Sequence, residues 1–337
     1  GGARRWLLLV RSGPPAGYIM AGQDIDTILL AYDLLTPEDA QRVARAAPGA
    51  RVCSLPEVEG EEERVHVLLG YPPRGGLSRF PNLRWVQQTG AGADWVMRTP
   101  GFQDSDVILT NASGVHAIPI AEHVLALMFA LSRRIHFFVK AQADGRWDRR
   151  GRLGELEGST LGIVGVGAIG EKLAEKAKGL GMGVLGLRRD ASRACPHVDR
   201  MFAPDGLHEL LGKSDWVAIA AALTPETKGL IGPQELAAMK STSYLINIGR
   251  GAIVDESALV QALEERAIAG AGLDVFEREP LPDDSPLWKM KNVIVTPHFA
   301  GATPHYVSRV MSIFVDNLER YQSGTPMRNL VDKKLAY

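Results

Sequence analysis

The feature that narrows the fold most is an ordered junction. The apolar run Leu161-Gly162-Ile163-Val164 passes straight into Gly165-Val166-Gly167-Ala168-Ile169-Gly170, which opens the helix-forming stretch Glu171–Leu180. Strand, glycine-rich turn and helix in this order leave the first helical amides unpaired at the positive end of the dipole, where a pyrophosphate binds. Gly167 lets the backbone approach the phosphates, and Gly170 lets the helix lie close on the strand. In a chain with 36 glycines the bare pattern is weak. Gly181-Met182-Gly183-Val184-Leu185-Gly186 matches it equally well, but stands where a helix ends and a strand begins. Only the first match has the order a dinucleotide requires; the competing reading is a structural glycine turn.

Short apolar runs surround this junction. In the first third they are Trp6–Val10, Thr27–Leu30, Arg51–Leu55, Val65–Leu69, Leu83–Gln87 and Val107–Leu109. In the second half they are Leu161–Val164, Gly183–Leu187, Trp216–Ile219, Ser243–Ile248, Gly270–Val275 and Val293–Val295. Runs of strand length spaced by helical crossovers predict open parallel α/β sheets, here two of them. Thr36-Pro37-Glu38-Asp39 reads as the capped start of one crossover helix. From Pro119 to about Ala143 the spacing of Val124, Leu127, Met128, Leu131 and Ile135 predicts one long helix with an apolar face. Val307–Tyr321 predicts a last amphipathic helix that returns the chain to the first lobe.

A length of 337 residues fits two domains, and 45% hydrophobic with 23% charged residues is an ordinary globular composition. The net charge of −1 gives no electrostatic case for nucleic acid or an anionic membrane as partner. Ala117–Leu131, broken by Glu122 and His123, reads as a buried helix and not a span. Cys53 and Cys195 suit a reducing compartment and cannot complete a thiolate metal site, so no metal is expected. The leading Arg4-Arg5 and Leu7–Val10 stop at Arg11 before any cleavage signal, which leads us to expect the cytoplasm.

Which dinucleotide binds is decided at the end of the strand after the glycines. NAD sites place an acid there for the ribose 2′-hydroxyl. Here Arg188 and Arg189 stand in that place, and a guanidinium suits a 2′-phosphate, so NADP(H) is favoured over NAD(H). If the strand ran two residues further, Asp190 would be the ribose ligand instead.

Reduction of a carbonyl beside a carboxylate needs a cation for the anion and an acid near neutral pH for the carbonyl oxygen. Three successive strand ends supply such groups: Arg250 in Ile246–Gly251, Glu279 in Gly272–Leu281, and His298 in Val293–His298. Pro297 sets the turn before His298, and Glu279 is placed to orient its imidazole. His116, His123 and His305 have no such partner in sequence, and Cys195-Pro196-His197 reads as a loop.

These segments, with Leu223-Thr224-Pro225-Glu226-Thr227 and Met239-Lys240, resemble in order and spacing the D-isomer-specific 2-hydroxyacid dehydrogenase family over roughly residues 85 to 330. The resemblance implies a Rossmann nucleotide domain, residues 116–302, inserted into a flavodoxin-like substrate domain formed by 1–115 and 303–337. It implies Arg250, Glu279 and His298 as catalytic residues, with Arg250 and the amides of Ala91 and Gly92, in Thr89-Gly90-Ala91-Gly92-Ala93-Asp94, holding the substrate carboxylate. It implies Gly165, Gly167, Ala168, Ile169, Gly170, Arg188, Arg189, Ala222, Ile248 and Asp274 as cofactor contacts, Asp274 at the nicotinamide carboxamide. Arg188 in place of the usual acid is similar to the NADP-using glyoxylate/hydroxypyruvate reductase branch, and a homodimer through the apolar helix after Pro119 is implied too. Pro119 stands where many members have Thr or Ser. Two rivals remain: formate dehydrogenase, which pairs its His with Gln where this chain has Glu279, and nucleotide-sensing corepressors similar to the C-terminal-binding proteins, which keep the Arg, Glu and His. Tyr71, Pro72 and Pro73, and the loop Trp147–Gly151, are candidates to shape the substrate pocket.

Overall fold

The structure is a computed structural model that describes residues 24–72, 76–99 and 101–334. The expected strand Trp6–Val10 and Pro73 lie outside these residues. The chain divides into two compact units, Gly1–Ala112 with Val307–Tyr337, and Ser113–Tyr306.

The first unit carries five parallel strands, β1 (Thr27–Ala31), β2 (Arg51–Ser54), β3 (Val65–Gly70), β4 (Trp85–Gln87) and β5 (Ile108–Thr110), in the order β2-β1-β3-β4-β5. That 2-1-3-4-5 order is the flavodoxin-like one, with its switch point between β1 and β3. Helix α1 (Pro37–Ala46) begins as its sequence predicts: Thr36 Oγ1 accepts from the Asp39 amide, and the Asp39 carboxylate accepts from the Thr36 amide, closing a capping box. Leu29, Leu68, Val86 and Leu109 from successive strands pack with Phe80 and Phe102 into one core.

The second unit carries β6 (Thr160–Val164), β7 (Gly183–Leu187), β8 (Arg200–Phe202), β9 (Trp216–Ile219), β10 (Tyr244–Asn247), β11 (Gly270–Leu273) and β12 (Val293–Val295). All pair in parallel, in the order β12-β11-β10-β9-β6-β7-β8. The order reverses between β6 and β9, the crevice where doubly wound sheets bind ligands beyond the strands' carboxyl ends. β8 has no counterpart among the expected strands, because Arg200-Met201-Phe202 opens on an exposed charge and offers no apolar run.

One expectation is corrected. The long helix is two, α2 (Ala117–Ser132) and α3 (Ile135–Ala143), separated at Arg134, whose φ of 54° is left-handed. The loop 150–154 causes the break. Gly154 N donates to Ser132 O, Ser132 Oγ and Arg133 donate to Gly154 O, and the Arg134 guanidinium donates to Arg150 O. The first of these bonds gives a last-turn carbonyl of α2 a partner, and the others pin the loop against the break. Val124, Leu127, Met128 and Leu131 are buried against Leu161, Ile163 and Leu173, whereas Ile135, beyond the break, is exposed. No helix among the described residues is long and apolar enough to cross a membrane.

Candidate active site

The glycine-rich turn takes the strand-to-helix geometry its order predicts. Gly165 has a φ of 102°, and a Cβ on it would lie 2.5 Å from the Ala221 amide nitrogen, so a side chain is barred twice over. Its amide and that of Val166 both donate to Leu187 O, tying the turn to the end of β7. Helix α4 (Ala168–Gly179) has its first internal bond from Glu171 N to Gly167 O. The amides of Ala168, Ile169 and Gly170 therefore come before it without a partner among the described residues, and a Cβ on Gly167 would meet nothing within 4 Å. Free amides, an open approach and the positive helix end fit a pyrophosphate. The decoy glycines end the same helix and begin β7: Gly181 has a φ of 74° and donates to Lys178 O.

β7 ends at Leu187, so Arg188 is the first residue past the strand. Its guanidinium lies 3.7 Å from Glu171 and donates to Arg193 O, and Arg193 itself reaches Glu171 at 3.8 Å. Asp190 lies beyond the strand end, its carboxylate accepting from the Ser192 hydroxyl and amide; these bonds, with Arg188 and Arg193 nearby, hold its carboxyl below the usual range. Arg189 adds positive charge near Glu226, which the Thr224 hydroxyl chiefly holds below its ordinary range. In the sequence Arg193 has no signal beyond its nearness to Arg188 and Arg189. Ala222 O accepts from Thr227 Oγ1, and Ile248 is buried with its amide on Ile219 O.

The three strand ends β10, β11 and β12 are neighbours in the sheet. Asn247, buried at the end of β10, shapes the turn that carries Arg250: its Oδ1 accepts from Gly249 N and its Nδ2 donates to Arg250 O. After Arg250 the backbone runs against the next strand's extension. A Cβ on Gly251 would lie 1.8 Å from Phe276 C and 2.3 Å from Glu277 N. Gly251→Ala is expected to destabilise the unit by about 3 kcal/mol, read from the urea midpoint, because backbone on both sides must move. An unchanged midpoint would show that this contact yields freely.

Past that contact Glu279 turns back. Its Oε1 accepts from Phe276 N and its Oε2 lies 2.7 Å from His298 Nδ1. The carboxylate thus fixes the ring and leaves Nε2 as the other proton-bearing position. Both side chains are partly open to solvent. His298 has a φ of 52° and donates its amide to Thr296 O. Asp274 is 2% exposed; Oδ1 accepts from the Thr296 hydroxyl and the Phe299 amide, and Oδ2 from the Ala300 amide.

In the first unit, the loop expected to hold a carboxylate has its carbonyls tied back. Gln88 Nε2 donates to Gly90 O and Gly92 O, Asn111 Nδ2 to Ala91 O, and Trp95 Nε1 donates to Gln88 Oε1. The amides of Ala91 and Gly92 donate to nothing among the described residues. Tyr71 stands edge-on to Trp95, its hydroxyl beside Gly90. Trp147 projects with 93% of its surface exposed, while Asp148 and Arg150 close on each other.

A family model described as D-isomer specific 2-hydroxyacid dehydrogenase, NAD binding domain, matches residues 125–300. The chain belongs to this family. Consistent with that D-2-hydroxyacid dehydrogenase membership, it is 38% identical over 264 residues to a glyoxylate reductase of Korarchaeum cryptofilum, covering 76% of this chain and 78% of that one. Among solved structures it is similar to a D-isomer specific 2-hydroxyacid dehydrogenase of Xanthobacter autotrophicus in complex with NADPH and MES, at 33% identity and a TM-score of 0.80, covering 94% of this chain and 100% of that one. It is also similar to an NADPH-dependent glyoxylate/hydroxypyruvate reductase of Sinorhizobium meliloti in complex with NADP and sulfate, at 29% identity and a TM-score of 0.79, covering 93% and 100%. As a D-2-hydroxyacid dehydrogenase the chain is an NAD(P)-dependent oxidoreductase with the two parallel-sheet domains its sequence predicts.

Proposed function

We propose that the protein reduces a small 2-oxo acid of the glyoxylate or hydroxypyruvate kind to the D-2-hydroxy acid, with NADPH as the preferred reductant. The observation that carries this reading is the 2.7 Å pair of Glu279, past the end of β11, and His298, past the end of β12, on the same sheet edge as Arg250 past β10, in a chain of this family. The similar proteins named above as glyoxylate and glyoxylate/hydroxypyruvate reductases support the substrate class. Glu279, in place of a Gln, speaks against formate as substrate, because an acid–base pair is idle when no oxygen needs a proton.

Bound NADPH supplies the hydride. The chain's own residues do the rest. Protonated His298, held through Nδ1 by Glu279, gives its Nε2 proton to the oxygen that gains charge, and Arg250 stabilises that charge and the carboxylate beside it. We assign the free amides of Ala91 and Gly92 to the same carboxylate. Ala168, Ile169 and Gly170 would offer amides to the pyrophosphate, and Gly165 and Gly167 the turn beneath it. Ala222 and Ile248 would line the dinucleotide, and Asp274 Oδ2, with one partner among the described residues, keeps an acceptor position for a carboxamide. The exposed apolar residues Ile118 and Phe129 of α2, with Ile135 and Val139 of α3, suit a homodimer face.

The preference for NADPH rests on Arg188, Arg189 and Arg193, which gather three cations around one strand end. Arg188→Asp is expected to shift the NADPH-to-NADH ratio of kcat/KM about 100-fold toward NADH, from a charge-assisted bond lost and a repulsion gained. A ratio unmoved by this change would remove Arg188 from the site. The reaction itself is tested by chiral chromatography of the product from hydroxypyruvate and NADPH. D-glycerate is expected, and L-glycerate would refute the assignment.

A further inference from the structure

His123 lies on α2 and Thr296 on the segment after β12, 173 residues apart, yet His123 Nε2 is 3.0 Å from Thr296 Oγ1. The Thr296 hydroxyl has one hydrogen, and it is committed to Asp274 Oδ1 at 2.6 Å. Thr296 Oγ1 can therefore only accept from His123, which must carry its proton on Nε2. Asp274 in turn receives the amides of Phe299 and Ala300. Between these anchors sits His298, a non-glycine residue at a φ of 52°, a conformation that persists only where its surroundings impose it. The histidine just before α2 braces the far side: His116 Nδ1 is 3.0 Å from Gly301 O, and its ring stacks on Tyr306.

We propose that His123 is a positioning residue for the reaction, acting through Thr296 and Asp274 to hold the turn that presents His298 to Glu279. The relay runs from a helix to the catalytic turn, so it couples α2 to the orientation of the proton donor without touching substrate. The proposal rests on the reading of His298 as that donor, and its test keeps the two apart.

Thr296→Val removes the hydroxyl and keeps the volume. It is expected to lower kcat about 30-fold with the KM of the 2-oxo acid and the dissociation constant of NADPH, followed by nucleotide fluorescence, each within about threefold. Thr296→Ser restores the hydroxyl and is expected to restore kcat to within about threefold of wild type. His123→Leu is expected to lose about 10-fold in kcat, and His123→Gln, whose amide can donate to the same oxygen, to regain most of it. The ring Cε1–H resonance of His298, assigned by its absence in His298→Asn, needs no turnover: one line is expected in wild type and several, or a shifted one, in Thr296→Val and His123→Leu. A kcat unchanged in Thr296→Val, a loss that Thr296→Ser does not restore, or a His298 line superimposable on wild type overturns the proposal. Should Thr296→Val lose its folded far-ultraviolet dichroism, His123→Leu, which leaves Asp274 its three donors, decides alone. A wild-type chain inert toward every 2-oxo acid would instead overturn the reading of His298, and the resonance would still decide whether His123 holds the turn.

Discussion

Replacing His298 with Asn is expected to lower kcat about 10³-fold while the dissociation constant of NADPH changes less than about threefold. Asn is the side chain that isolates the chemistry. It tolerates the left-handed backbone that His298 adopts at a φ of 52°, so the turn anchored by Asp274 survives the change. It can still form a hydrogen bond toward Glu279, but it holds no proton that it can give up near neutral pH. Steady-state rates and a fluorescence titration separate the two quantities. If kcat fell less than about tenfold, the proton would have to come from elsewhere and Glu279 would be orienting a bystander. If affinity for NADPH collapsed with kcat, the residue would belong to the nucleotide site.

Replacing Arg250 with Ala is expected to lower kcat/KM about 10³-fold, shared between a higher KM and a lower kcat. The division follows from the two charges the guanidinium meets: a carboxylate present before reaction and an oxygen whose charge grows during it. Backbone damage is not expected to contribute, since Asn247 holds the turn through Gly249 N and Arg250 O, neither of which the substitution removes. Lys at the same position is expected to recover little, because a point charge on a flexible stem does not reproduce a planar fork. A variant with unchanged KM and kcat would place the substrate anion elsewhere.

The parts of this site legible in the sequence share a cause. Arg250, Glu279 and His298 each follow an apolar run of strand length, and successive parallel strands deliver their carboxyl ends to the same edge. Position along the chain therefore converts to position in space. The glycine turn was legible because its order, strand then helix, separates it from the decoy at 181–186, which caps a helix. What could not be read depends on distant partners. Arg134 is an ordinary helix residue, and only the loop 150–154 forces it into a left-handed break. His123 looks like one more helix histidine until the end of β12 brings Thr296, and the end of β11 Asp274, to it. Asn247 carries no motif of its own, and its signal, a polar residue where a buried strand ends, is visible only once burial is known. The choice between Arg188 and Asp190 at the strand end hung on a boundary of two residues, the scale at which sequence patterns blur.

The most direct test is the initial rate of NADPH oxidation by the purified chain with glyoxylate and with hydroxypyruvate, run beside NADH. The expected result is oxidation that depends on the 2-oxo acid and is faster with NADPH. Tight nucleotide binding without turnover of either acid would contradict it and leave a chain that senses the nucleotide instead of using it.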